Sequence, residues 1–227
     1  MCDFIASQWM RNYIIKINEG FGSRLYFVGL QGSYGRGEAN ETSDIDIVVI
    51  LDDVSTDDLL SYQNMIEDMP MREKICGFIS GKKELYAWDR ADLFQFFYDT
   101  KPIQGSIADI ERLIKKDDVR RAIHTGACNI YHGCAHNLVH ERSLDILKAL
   151  YKSAFFVMQA AHYFKTEKYV EKQDDLIQIV DETEQYIISI CMKMKKKVES
   201  SKDDFKLYSE TLLGWSSDLI ETYKQCV

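Results

Sequence analysis

The chain has 227 residues, 46% of them apolar and 28% charged, enough to bury the core of one large domain or two small ones. Its formal net charge of −8 argues against nucleic acid as a main partner, because polyanion binders are normally basic, whereas such a field would attract a small cationic acceptor. No apolar stretch is long enough to span a membrane, and Met1-Cys2-Asp3-Phe4 opens without a basic start or a secretory pattern. Six cysteines, at positions 2, 76, 128, 134, 191 and 226, form no zinc-type spacing and read as reduced thiols of a cytoplasmic protein.

Asp3 to about Asn18 places Phe4, Ile5, Trp9, Ile14, Ile15 and Ile17 at helical spacing, with Asp3 as the cap and Glu19-Gly20-Phe21-Gly22-Ser23 as the break. Arg24 to Leu30 reads as a strand. A glycine-rich turn, Leu30-Gln31-Gly32-Ser33-Tyr34-Gly35-Arg36-Gly37, then leads through a spacer to a second strand, Ser43-Asp44-Ile45-Asp46-Ile47-Val48-Val49-Ile50-Leu51. Ser55 or Thr56 caps a helix through Leu59, Leu60 and Met65 that Pro70 stops. Lys74 to Ile79 is a third strand, and Gly81 to Arg90 is mixed with room for a short helix. Asp92-Leu93-Phe94-Gln95-Phe96-Phe97-Tyr98-Asp99 is the most aromatic run and reads as a fourth strand, closed by a proline turn at Asp99-Thr100-Lys101-Pro102.

After Gly105-Ser106 helical periodicity takes over. Asp117 caps a helix from about Asp118 to Glu141. Ser143 caps the next, whose apolar stripe is Leu144, Leu147, Tyr151, Ala154, Phe155, Met158 and Ala161. Asp181 and Glu184 form a capping box, Lys193-Met194-Lys195-Lys196-Lys197 is a basic helix end, and a last helix runs from Asp203 to about Gln225. The chain therefore divides into an α/β (α+β) domain over residues 1–105 and an all-α helical domain over 106–227.

The chemistry is concentrated in the turn and the strand after it. Residues i and i+2 of a strand share a face, so Asp44 and Asp46 point one way while Ile45, Ile47, Val49 and Leu51 point the other. Adjacent carboxylates repel unless a cation lies between them, and hard oxygen ligands suit Mg²⁺ completed by substrate phosphates. The glycines let backbone N–H groups approach a phosphate. A plain turn into a buried strand would explain the glycines and valines but not two acids on one face. The P-loop pattern and the Gly-x-Ser-x-Gly elbow are absent, Gly32-Ser33 lacks a strand-to-helix context, and Asp44 and Asp46 are too close for a glycosidase pair.

Gly32-Ser33, the spacer and Asp44-x-Asp46 resemble the signature of the DNA polymerase beta-like nucleotidyltransferase superfamily, and among its members the small bacterial antibiotic enzymes of the kanamycin and lincosamide type. The resemblance covers Leu30 to Leu51. It implies a mixed-sheet catalytic domain followed by a helical bundle that binds the acceptor. It also implies transfer of a nucleoside monophosphate from an NTP, by default ATP, to a hydroxyl of a small molecule, with two Mg²⁺ ions and release of pyrophosphate. Asp44 and Asp46 would hold the metals. A third carboxylate reaches the metal site from a neighbouring strand in the family; Asp99 fits that place best, as metal ligand or proton acceptor, with Asp92 as rival. Gly32, Ser33 and Ser43 would hold the triphosphate. Minimal members of the superfamily resemble this chain too, and they pair with helical toxin domains, which leaves a nucleotide-binding or antitoxin-like interaction protein as the alternative.

Arg36 is a phosphate candidate by position, because a guanidinium matches phosphate oxygens. Lys148 and Lys152, four residues apart, resemble the lysine that the family brings from its helical half to the nucleotide; a solvated flank is the plainer reading. His132, His136 and His140 recur at helical spacing, as a metal site, a polar helix face, or, with Tyr131 and Asn137, the wall of an acceptor pocket. The acceptor, the general base and the oligomeric state are not legible.

Overall fold

The computed structural model describes residues 4, 5, 7–195 and 202–224. The expected cap Asp3, the helix end at Gln225 and the last two lysines of the basic run, Lys196 and Lys197, fall outside them. The chain forms two compact units, Met1–Leu113 and Ile114–Val227. The boundary lies beyond residue 105 because a 3₁₀ segment, Ala108–Leu113, buries Ile110 and belongs to the first unit.

The first unit opens with α1 (Gln8–Phe21), capped by the Ser7 hydroxyl, which accepts the Met10 N–H at 3.2 Å, and stopped by Gly22 at φ +56°. Next come β1 (Leu25–Leu30), a short helix α2 (Gly32–Arg36) and β2 (Ile45–Leu51). Helix α3 (Thr56–Glu67) starts at a capping box in which Ser55 and Asp58 satisfy each other's backbone N–H groups. Then follow β3 (Ile75–Gly81), α4 (Lys82–Ala87), α5 (Arg90–Asp99) and β4 (Lys101–Gln104).

The sheet order is β3-β2-β1-β4. Strands β1 and β2 are antiparallel, as are β1 and β4, whereas β2 and β3 are parallel, so the sheet is mixed. Alternation sorts β2 cleanly. Ile45, Ile47, Val49 and Leu51 join Val28 and Leu30 in a core closed by Met10, Tyr13, Ile17 and Phe21 of α1. Each such fully buried aliphatic side chain contributes about 1.5–3 kcal/mol. On the other face Phe27, Val48 and Ile50 are buried as well, and Phe78 of β3 meets Phe96 of α5 with ring centroids 5.9 Å apart.

Two expectations are corrected here. The aromatic run 92–99 is not a strand but most of helix α5. Asp89 opens it by accepting the Ala91 N–H at 2.8 Å, and Leu93, Phe94 and Phe96 turn inward while Asp92 stays exposed. Burial against the sheet overrides the strand propensity of aromatics. Lys101-Pro102 is not a closing turn either. It begins β4, an edge strand, where a proline removes no needed ladder bond.

The second unit is helical: α6 (Lys116–His136), a π turn (Asn137–Glu141), α7 (Leu144–Thr166), the short α8 (Gln173–Leu176), α9 (Glu182–Lys195) and α10 (Lys202–Tyr223). Helix α6 packs on α7 and α10, and α7 packs on α9. The Ser143 hydroxyl accepts the Ile146 N–H at 3.3 Å, and the Asp181 carboxylate accepts the Glu184 N–H at 2.9 Å. Leu147, Tyr151, Ala154, Phe155, Met158 and Ala161 are buried, whereas Leu144 at the start of the stripe is exposed.

Glu184 is buried too. Burial and then the Asp181 charge push its carboxyl above the ordinary glutamate range, against the lowering effects of the Lys165 charge and a Trp215 hydrogen bond. A carboxyl raised in the folded state stabilises fully below its ordinary pKa, and the contribution is lost as pH rises through the folded value. Glu184→Gln is therefore expected to match wild type near about pH 4 and to melt at a higher temperature at about pH 8. Thermal melts across that range check it; a constant difference at every pH would refute the assignment.

Candidate active site

The site is built where β1 ends, β2 begins and α5 ends. The Gln31 N–H donates to the Asp46 carbonyl at 2.8 Å, carrying the β1–β2 ladder up to the first residue of α2. Gly32 then takes φ +64°, and the space a Cβ would need is filled by the Asp46 carboxylate. Only glycine accepts both conditions together. So the turn read from the sequence is a tight strand-to-helix junction, which corrects the expectation that Gly32-Ser33 lacks that context.

Asp44 is exposed just ahead of β2, and Asp46 is half-buried on the β2 face away from α1. Ser43 accepts the Asn40 N–H on its hydroxyl at 2.9 Å and so closes the spacer loop in front of them.

Asp99 comes to the same junction, from the end of a helix instead of a strand. Its Oδ2 accepts the Gly32 N–H at 3.2 Å, and its Oδ1 accepts from Arg36 Nη1 at 2.5 Å. Arg36 is buried and also donates from Nε to Glu38 at 3.2 Å. Burial opposes its charge, yet Asp99 and Glu38 outweigh burial and hold the guanidinium above its usual pKa. Both Asp99 oxygens are thus already engaged. On the adjacent strand the residue in register with Asp46 is Cys76, so β3 supplies no carboxylate at that position. Asp92, the rival, is exposed in the first turn of α5. Sequence reasoning missed Gln31, whose amide donates to the buried Thr100 hydroxyl at 2.7 Å and ties the junction to the residue after α5. Only the sheet order would have pointed to it.

Among the described residues no three His, Cys, Asp or Glu side chains are grouped to hold a metal ion. Asp46 at the start of β2 and Asp44 just ahead of it suit a cation whose remaining ligands are water and substrate phosphate oxygens.

In the helical unit, His132, His136 and His140 are exposed, with successive ring centroids 6.4 and 4.8 Å apart, and Tyr131 beside them is 43% exposed. Asn137 is a correction. It is buried, its amide donating to the Ser143 carbonyl and its oxygen accepting the Ser143 N–H, both at 2.9 Å, so it fastens the α6–α7 connection instead of offering its amide to an acceptor. Lys148 and Lys152 are exposed beside a shallow hollow that also includes Asp145, Ala149 and Cys191. Among the described residues, no helix is long and apolar enough to cross a membrane.

Residues 14–120 match the family model described as a nucleotidyltransferase domain. No curated protein matches the sequence. The fold is similar to the crystal structure of spectinomycin adenyltransferase AAD(9) from Enterococcus faecialis with ATP and spectinomycin. The TM-score is 0.61 at 14% identity, over 94% of this chain and 98% of that one. A mutant of the toxin–antitoxin MntA-HpeT overlaps 52% of this chain and 90% of its own at 20% identity, with a TM-score of 0.33.

Proposed function

We propose that this chain, whose residues 14–120 match a nucleotidyltransferase domain, moves a nucleoside monophosphate, AMP by default, from an NTP to a hydroxyl of a small-molecule acceptor, releasing pyrophosphate. The observation that carries this reading is the junction itself: Gly32 lies flat against the Asp46 carboxylate, so the Gly32-Ser33 turn and the acidic strand form one surface. A phosphate chain held by the turn would share its cation with Asp44 and Asp46.

Mg²⁺ bound there would supply Lewis-acid chemistry, drawing charge from the transferred and leaving phosphates. The protein groups do the rest. The Ser33 amide and hydroxyl, in the first turn of α2, orient the triphosphate. Asp44 and Asp46 supply the negative charge that would fix the cation at the start of β2. Asp99 and Arg36 hold the junction in place and act through Gly32, so we assign them positioning roles. Acceptor recognition we assign to the helical unit, whose exposed Tyr131, His132 and His136 offer an aromatic and hydrogen-bonding surface. Lys148 and Lys152 are its candidates for phosphate. Spectinomycin, the ligand of the structural neighbour, is a starting acceptor for assay.

The test is direct. Wild type with Mg²⁺ is expected to bind ATP and to release pyrophosphate with a suitable acceptor. Asp44→Asn with Asp46→Asn is expected to stay folded and lose both. Unchanged Mg²⁺–ATP affinity in that double variant would sink the site.

A further inference from the structure

The histidine stripe of the second unit is not evenly spaced in space. His132, His136 and His140 follow one another four residues apart and are all exposed, yet the two intervals differ. Within α6 the His132 and His136 ring centroids are 6.4 Å apart, whereas across the end of α6 and into the π turn those of His136 and His140 are 4.8 Å apart. Two imidazoles that share one ion through bonds of about 2.0–2.1 Å, at angles from square to tetrahedral, bring their centroids to about 4.5–5 Å. The second pair meets that condition and the first does not. Among the described residues no third His, Cys, Asp or Glu side chain joins them, so the pair is the whole ligand set there.

The chain holds this geometry in place. Helix α6 gives way to the π turn at Asn137, between the two histidines. The Arg142 N–H donates to the Asn137 carbonyl at 2.7 Å and closes the turn. The buried Asn137 side chain bonds both backbone groups of Ser143 at 2.9 Å, so the segment that carries His140 is fixed against the one that carries His136. Turns of this kind at helices recur at functional sites. No hydrogen bond or ion pair to another described residue engages either imidazole, so neither ring gives up a partner when it takes a cation.

We propose that His136 and His140 form a site for a divalent transition-metal cation of the Zn²⁺ type. Imidazole nitrogens suit Zn²⁺, Ni²⁺ and Cu²⁺, whereas Mg²⁺ keeps to oxygen ligands, so the ligand chemistry differs from that of the acidic strand. Histidines four apart on one helix face have the ligand spacing of helical zinc sites. With two protein ligands, the other positions of the ion are open to water or to an oxygen or nitrogen donor of a bound molecule. The ion clamps the π turn to the last turn of α6 and stabilises the second unit by mass action. The claim does not rest on the nucleotidyl-transfer reading, because it is tested without nucleotide or acceptor.

The experiment titrates the full, untagged and reduced chain with Zn²⁺ and follows its imidazole proton resonances by NMR. The chain has five histidines, so single glutamine substitutions assign every signal. The His136 and His140 signals are expected to shift or broaden together and to saturate, while those of His124 and His162 stay in place. His136→Gln and His140→Gln are each expected to weaken Zn²⁺ binding about tenfold or more, because either leaves a single imidazole. His132→Gln and Asp44→Asn/Asp46→Asn are expected to bind as wild type does. Zn²⁺ is also expected to raise the melting temperature of wild type but not of either pair variant. Unmoved His136 and His140 signals would overturn the site, as would wild-type affinity in a folded His140→Gln protein. A shift at His124, whose Nδ1 is 3.9 Å from the Cys128 sulfur, would assign the ion to that pair instead. Loss in the aspartate variant would assign it to the acidic strand, and either reassignment refutes the proposal. If His140→Gln melts early without metal, His136→Gln and the wild-type resonances decide.

Discussion

Arg36→Met is expected to destabilise the first unit by about 3 kcal/mol, because it leaves the Asp99 carboxylate in a mostly buried place without its cation. The side chains are only 7% and 12% exposed, so water offers Asp99 little compensation. Asp99→Asn is expected to cost less, about 1–2 kcal/mol, since Arg36 keeps Glu38 and the asparagine oxygen still accepts from Gly32. The double variant removes both charges together and should lose less than the sum of the two, with a coupling of about 2 kcal/mol in denaturant melts. The cycle also separates two roles for Asp99. A cation ligand held back by an arginine would bind Mg²⁺ more tightly once the arginine is gone. A positioning group would not: Arg36→Met should leave Mg²⁺ affinity unchanged or weaker, and both single variants should weaken Mg²⁺–ATP binding together. Tighter Mg²⁺ binding in Arg36→Met, lost again in the double variant, would return Asp99 to the ligand set.

That pair also marks where the sequence stops being readable. The β2 strand was legible because alternation there has one solution: Ile45, Ile47, Val49 and Leu51 need a core and the aspartates need water or a cation. Caps at Ser55, Ser143 and Asp181 were legible because they are local chemistry. The run 92–99 was not, because a short apolar aromatic stretch satisfies a strand and a buried helix equally well. The cap at Asp89 was the available clue, and it sits outside the run. Misreading α5 carried Asp99 with it: the residue reaches the junction, but from a helix end and already paired. Cys76 beside Asp46 and Gln31 with Thr100 depend on which elements are neighbours, and a single sequence does not encode that order in any local pattern. Asn137 illustrates the converse error. Its neighbours at helical spacing are exposed histidines, yet the chain leaves the α-helix at that residue, and its amide closes the connection.

Gly32→Ala is expected to lower Mg²⁺–ATP affinity or turnover by about a hundredfold or more, the scale of loss when a reacting group is misplaced by about 1 Å. Two effects combine at Gly32. Its φ of +64° costs a side-chain-bearing residue about 1–2 kcal/mol, and the new methyl group would overlap the Asp46 carboxylate and force it from the strand face. Gly37, at the other end of α2, separates the two. Its φ is +72°, but an added Cβ there meets nothing within 4 Å. Gly37→Ala should therefore show the backbone penalty in melting and keep nucleotide binding, while Gly32→Ala should show a similar penalty and lose it. The difference between the two variants in a Mg²⁺–ATP titration then measures what the Gly32–Asp46 contact contributes apart from backbone strain. Equal losses in both would mean that the conformation of α2, and not its fit against Asp46, sets the site; retained binding in a folded Gly32→Ala protein would remove the junction from the mechanism altogether.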